Sequence, residues 1–260
     1  MRVELLGLPV DILTRRETLG RALAAMRERT RCQHVALNVA KLVQARRDPD
    51  LDRDVRESDI VGIDGAGIAL ALRLLGEGRV ERVAGIDLFQ DIVALCAAQG
   101  LRPYLLGARP DVVADAARAL GRRHPGLALA GWHHGYFRPE EEDDLCRAIA
   151  GSGADCLFIA LPTPAKERFM ARHRDRLGVP FVMGVGGSFD VVAGRVQRAP
   201  ALVQAAGLEW AFRLAQEPRR LAGRYLRTNA VFAGLLAVAL ARRLARGRPP
   251  LHRAETRGRG

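Results

Sequence analysis

From residue 3 to about Pro200 the chain alternates short apolar runs with stretches of helical length. That alternation constrains the fold more than any other feature. Parallel strands cannot be joined by tight hairpins, so each needs a crossover, usually a helix, that packs back onto the sheet. The apolar runs at 3–8, 34–39, 59–63, 103–107, 127–132, 155–161 and 179–185 are the expected strands. The helices are expected from Thr14 to about Arg29 and over 40–47, 68–75, 85–98, 111–123, 139–149 and 166–176. Thr14 followed by Glu17 is a capping box for the first of them. The reading predicts a Rossmann-like α/β body over 1–200, a mostly parallel sheet with helices on both faces. After Pro200 the strands stop, and 201–216 and 218–245 read as helices, a C-terminal appendage over 201–245. The Arg/Pro/Gly-rich end, 246–260, reads as a disordered basic tail.

Charge separates the same two regions. Residues 213–260 hold twelve arginines and two acids, +10 of the chain's +12, so the rest is close to neutral. A polycationic end suits an anionic membrane surface, a phosphate-bearing substrate or nucleic acid. The uncharged run 229–241 lies between arginines on both sides and, at about thirteen residues, falls short of the ~20 that a span needs. It reads as a helix lying at a membrane surface, or else one packed on the domain or on a second subunit. Lys41 and Lys166 are the only lysines. The four cysteines never form C-x-x-C, and residues 1–10 carry no long apolar core. Both features fit a reduced, cytoplasmic chain without a disulfide framework.

The stretch 184–200, GVGGSFDVVAGRVQRAP, is the strongest candidate for chemistry. Glycines at a strand's C-terminal end let backbone N–H groups approach a ligand, and ligands of open α/β sheets sit outside those ends. Gly186 and Gly187 are therefore candidate ligand contacts, with Phe189 offering a ring face and Asp190 a carboxylate. A tight turn without a ligand is the alternative. Asp64 ends a strand next to a helix start, a second carboxylate at a strand's C-terminal end. The overlapping Asp-x-Asp triplets of 48–54 could hold a divalent metal, but Pro49 and the pattern around it favour a solvated helix start, and no metal is expected. His133 and His134 point to opposite faces if they continue a strand, which suits a structural role or substrate contact better than a metal.

Several motifs in order resemble one family. They are Asn38 after a strand; Ile63-Asp64-Gly65; Arg82-Val83-Ala84-Gly85-Ile86-Asp87-Leu88; Leu105-Leu106-Gly107-Ala108; Gly131-Trp132-His133-His134-Gly135-Tyr136-Phe137; the stretch 184–200; and Gly207-Leu208-Glu209-Trp210-Ala211-Phe212-Arg213-Leu214. Across about 38–227 the chain is similar to the WecG/TagA/CpsF glycosyltransferases, the N-acetylmannosaminyltransferase group (glycosyltransferase family 26). The resemblance implies inverting, metal-independent transfer of a sugar from a UDP-sugar to a polyprenyl-diphosphate-linked saccharide, with no cofactor. It implies Asp64 as general base, with Asp190 as the rival, and Asn38 as its polar neighbour, in a peripheral enzyme at the inner face of the cell membrane. It leaves room for a homo-oligomer and implies no nucleic-acid partner. Many members read Gly-x-Pro-Lys-Gln-Glu where this chain reads Pro162-Thr163-Pro164-Ala165-Lys166-Glu167, so Lys166 stands at an active-site amide position. An ammonium has no acceptor oxygen. Without a metal the diphosphate needs cations, and Arg82, Arg213 and Arg220 are the candidates; for each the alternative is a surface ion pair.

Two other function classes have partial support in the residues. A nucleotide-dependent oxidoreductase would use Gly184-x-Gly186-Gly187, but the full G-x-G-x-x-G is absent because Phe189 occupies the last position. A basic nucleic-acid-binding protein would need stacking surface, and the cationic end offers little beyond Tyr225 and Phe232.

Overall fold

The computed structural model of this chain describes residues 1–78 and 80–245; the expected tail, 246–260, lies outside them. The elements run β1 (Arg2–Leu5), β2 (Leu8–Asp11), α1 (Arg15–Glu28), β3 (Cys32–Leu37), α2 (Val39–Ala45), α3 (Pro49–Arg56), β4 (Ile60–Ile63), α4 (Ala66–Leu74) and α5 (Gly85–Gln99). There follow β5 (Pro103–Gly107), α6 (Pro110–Arg123), β6 (Gly131–His133), α7 (Glu142–Gly151), β7 (Cys156–Ala160), α8 (Ala165–Arg172), β8 (Phe181–Gly184) and α9 (Ser188–Val192). The appendage holds α10 (Ala201–Ala205), α11 (Glu209–Gln216) and α12 (Pro218–Ala245). Six strands form one sheet in the order β4-β3-β8-β7-β5-β6, with every pair parallel.

The period of two along the strands divides the interior. Val35, Leu37, Val61, Ile63, Leu157, Ile159 and Val182 face one layer with Leu42 of α2, Leu51 of α3, Ile68 of α4 and Phe169 of α8. Cys156, Phe158, Phe181 and Met183 face the other, with Met26 of α1, Phe89 of α5, Val113 of α6 and Phe189 of α9. Phe89 stands edge-on to Phe158 at 4.7 Å between ring centroids. Each such fully buried ring contributes about 1.5–3 kcal/mol relative to exposure. This is the doubly covered α/β sheet that the alternation predicts.

Local differences from the sequence reading have simple causes. The expected single strand 3–8 is a hairpin, β1 antiparallel to β2 with Leu5 opposite Leu8. Leu6 (φ 50°) and Gly7 (φ 90°) both take positive φ, as a two-residue primed turn requires. The run expected over 127–132 shortens to β6. His133 ends that strand, so alternation does not carry over to His134. The two rings lie 4.4 Å apart, and His133 Nδ1 is 2.8 Å from the His134 carbonyl oxygen. The acidic stretch is a helix start: Asp48 caps α3 by accepting from the Leu51 amide at 3.1 Å, and Arg168 pairs with it at 2.8 Å. All four cysteines are free thiols; Cys96 and Cys156 are both buried, their sulfurs 3.6 Å apart.

Helix α12 packs on the body, one of the two alternatives for it. Tyr225–Ala245 is long and apolar enough to cross a membrane by length and composition, longer than the uncharged run alone suggests because arginines interrupt it only near its ends. One stripe, Val231, Phe232, Leu235, Leu236, Ala239 and Leu240, packs against the core of the body. The opposite side, with Leu226, Val238 and Leu244, is exposed.

Candidate active site

Strands β3, β4, β7 and β8 end at one edge, and the residues just beyond them meet there. Asn38 follows β3 and caps α2, its side-chain oxygen accepting from the Lys41 amide at 3.0 Å. Asp64 follows β4, and its amide donates to the Leu37 carbonyl of β3 at 3.1 Å. Asp64 Oδ1 accepts from the Gly85 amide at the first turn of α5, at 2.7 Å. A helix N-terminus favours a negative charge at that point, which fixes the carboxylate in place. Gly65 and Asn38 are in contact: a Cβ on Gly65 would lie 3.2 Å from the Asn38 Cβ.

Lys166 reaches this edge from α8, the helix after β7. Its side chain lies over Gly184 at the end of β8, where a Cβ would come within 3.0 Å of the lysine Cδ. Its ammonium is 3.0 Å from Glu167 Oε1 and also bonds the Thr163 hydroxyl. Lys41 meets the same Glu167 oxygen at 2.7 Å from the other side and donates to the Ala36 carbonyl at 2.6 Å. All three charged side chains are buried, their residues 4%, 7% and 2% exposed for Lys41, Lys166 and Glu167. Burial, and then the Lys41 charge, lower the Lys166 ammonium to about 8, against the pull of Glu167 and Asp64. Burial pushes Glu167 up, but the two ammoniums overcome it and hold the carboxyl at about 2. Lys41 and Glu167 escape the sequence reading as site residues because 126 positions separate them. The signal was the restriction of lysine to two positions.

A second charged cluster lies where the appendage meets the body. Glu209 of α11 stands 3.5 Å from Arg82, 3.9 Å from Arg198 and 3.8 Å from Arg213. Arg198 also grips Asp87 in the first turn of α5 with its two terminal guanidinium nitrogens, at 2.5 and 2.7 Å. The appendage touches the first site as well: a Cβ on Gly207 would lie 3.0 Å from that of Ala66, two residues after Asp64. Arg82 and Arg213, expected to hold a diphosphate, thus both face the Glu209 carboxylate. The side chain of Arg220 lies outside the described residues.

The glycine-rich turn departs from expectation in one respect. Gly186 has φ 52° and Gly187 precedes α9, so the backbone turns as predicted. Phe189, however, offers no ring face to a ligand: it is fully buried, 5.8 Å from Phe89. The helix following the turn rotates it into the core and leaves Asp190 half-buried at the rim. Asp190's carbonyl accepts from the Arg195 amide at 2.8 Å, and the Arg195 side chain pairs with Asp115 at 2.6 Å.

Two concavities are found whose linings do not include Asp64. One, of about 760 Å³, is an open groove between α1 and α5 lined by Leu19, Leu23, Asp91 and Leu95. The other, of about 530 Å³, is lined by Ile12, Leu13, Arg73, Glu81 and Arg82. Convergence of charged groups at the strand ends is the better guide to chemistry, because polar groups buried together there restrict what can bind. Among the described residues no group of three or more His, Cys, Asp or Glu could hold a metal ion.

A carboxylate fixed at a strand end, a buried cationic cluster beside it and arginines at the neighbouring domain edge suit transfer of a group that leaves as an anion. The whole-chain comparison agrees: the family model for glycosyl transferases of the WecG/TagA/CpsF family matches residues 3–246. The chain therefore belongs to the WecG/TagA/CpsF glycosyltransferase family.

Proposed function

We propose that this glycosyltransferase moves a sugar, N-acetylmannosamine-like or another hexose, from a UDP-sugar to a polyprenyl-diphosphate-linked saccharide in the synthesis of a bacterial cell-surface polysaccharide. The observation that carries the reading is the position of Asp64, fixed between the ends of β3 and β4 by the Gly85 amide and in contact range of Asn38 through Gly65. In a single displacement an acceptor hydroxyl oxygen bonds to the sugar's anomeric carbon as the bond from that carbon to the phosphate oxygen breaks. The hydroxyl proton passes to Asp64, and the electron pair leaves with UDP. Attack opposite the leaving group inverts the anomeric configuration.

The leaving diphosphate carries the developing charge, and cations stabilise it most where little water competes. Arg82 and Arg213 supply such charge at the appendage edge. Their ion pairs with Glu209 are 3.5 and 3.8 Å long, loose enough for a phosphate to displace. Arg220 belongs to the same set by sequence. Gly186 and Gly187 offer backbone N–H groups, and Asn38, Lys166 and Asp190 line the sugar. Metal independence follows from assigning the diphosphate to arginine. The exposed side of α12 and its flanking arginines bring the enzyme to the cytoplasmic face of an anionic membrane, where a lipid-linked acceptor lies; each basic residue there is worth about 1 kcal/mol.

The test is a screen of UDP-sugars for transfer to detergent-solubilised polyprenyl-diphosphate saccharides, with and without EDTA. Transfer with inversion that survives EDTA is expected. Activity abolished by EDTA and restored by magnesium would contradict the metal-free mechanism, and transfer only from other nucleotide sugars would contradict the donor.

A further inference from the structure

Lys41 and Lys166 are the only lysines of a chain whose other 39 basic residues are arginine, and both are buried against one carboxylate. Arginine is planar, bulky and always charged, whereas a lysine ammonium is compact and titrates when buried. Each ammonium has three protons to donate. Lys166 donates to Thr163 and Glu167, and Lys41 to Ala36 and Glu167, leaving one donor on each without a partner among the described residues. The Glu167 side holds a second irregularity: Oε1 takes every partner, while the buried Oε2 has none among the described residues. The three side chains carry a net charge of +1, and Asp64 is the other acid whose charge acts on Lys166. When Asp64 takes up a proton, that positive charge is left uncompensated. An isolated buried charge is costly, so it calls for an anion during the reaction.

We propose that Lys41, Glu167 and Lys166 form an anion-recognising subsite beside Asp64, in which Lys166 meets an anionic oxygen of the sugar nucleotide and Lys41, acting through Glu167, is its positioning residue. This rests on the glycosyl-transfer reading above and narrows its substrate. An amide both donates and accepts, so a glutamine at the Lys166 position can serve a neutral hydroxyl. An ammonium only donates, and its best match is an acceptor-only oxygen. That oxygen belongs either to the diphosphate or to a carboxylate on the transferred sugar.

The experiment measures calorimetric binding of UDP, a UDP-hexose and a UDP-hexuronate to the full chain, as wild type, Lys166→Gln, Lys41→Met and Lys41→Arg. Lys166→Gln is expected to weaken binding about tenfold, the worth of one charge-assisted hydrogen bond. Weakening of all three ligands assigns the anion to the diphosphate, and weakening of the UDP-hexuronate alone assigns it to the sugar. Wild-type affinity for the same ligand should fall between about pH 7 and about pH 9, as the ammonium that titrates near about 8 loses its proton. Lys41→Met removes a like charge and should move that fall to higher pH, while Lys41→Arg leaves it in place; an unmoved midpoint in Lys41→Met contradicts the positioning role. Unchanged affinity for all three ligands in a cooperatively melting Lys166→Gln protein overturns the subsite. If that variant does not fold, the wild-type pH profile decides, and flat affinity across it overturns the subsite. A wild-type chain that binds none of the three ligands fails the donor reading itself and this one with it, whereas UDP binding without any Lys166 effect sinks the subsite alone.

Discussion

The two charged clusters beside Asp64 are built in opposite ways. In the body, Lys41, Lys166 and Glu167 are buried and joined at 2.7 and 3.0 Å. At the appendage, Arg82, Arg198 and Arg213 surround Glu209 at 3.5–3.9 Å, with the Arg213 side chain 46% exposed. The first arrangement has little freedom: removing one member strands the others in a medium that solvates them poorly. The second is partly hydrated, and its pairs can exchange partners at small cost. On the proposed function, contacts that depend on position are assigned to the rigid cluster, and capture and release of a charged leaving group to the loose one.

The largest test of that contrast separates the regions outright. Truncation after Pro200 removes Glu209, Arg213 and all of α12. It should leave a nearly inactive protein that no longer sediments with anionic liposomes. Because Phe232 packs into the body's core, the truncated chain should also melt at a lower temperature than the full one. Full activity of this truncation on a soluble acceptor would end the assignment of Arg213 to the diphosphate.

Within the folded chain, Glu167→Gln leaves two buried ammoniums without their carboxylate. We expect a loss of about 3–5 kcal/mol by denaturant titration, and a smaller one for Glu209→Gln, whose arginine partners are more hydrated. Equal losses would mean that the two clusters do not differ as their geometry says.

A pH measurement sharpens the same point. His34 of β3 is buried, and burial, then the Lys41 charge, depress its imidazole to about 4, with Asp11 opposing. The unfolded chain binds this proton near pH ~6.5, so its contribution is whole above that pH and is lost as pH falls toward about 4. The expected swing is about 3 kcal/mol, and His34→Gln should flatten it. A wild-type stability that stays level from pH ~6.5 to ~4 would contradict the closed environment around β3.

Much of this was legible because it is local. Alternation of runs is a property of neighbouring residues, and it predicts the strands and the parallel sheet. Asn38 and Asp64 announce themselves by following apolar runs and preceding helices. What the sequence hides is long-range or rotational. Strand order places β8 between β3 and β7, and nothing in the runs says so. That order brings Lys41 of α2 against Glu167 of α8. Phe189 follows two glycines and reads as exposed until the turn of α9 is known, because one residue of helical rotation decides between core and rim. Arg82 and Arg213 read as diphosphate contacts or as surface ion pairs, and their shared partner stays hidden because Glu209 lies far from Arg82 in sequence.

Asp64 as the proton acceptor is the central assignment. The direct measurement is single-turnover sugar transfer by Asp64→Asn, alongside UDP affinity. The isosteric amide keeps the shape and cannot take the proton, so transfer should fall by about two orders of magnitude or more while UDP binds as before. Unchanged turnover would contradict the assignment and move the base to Asp190.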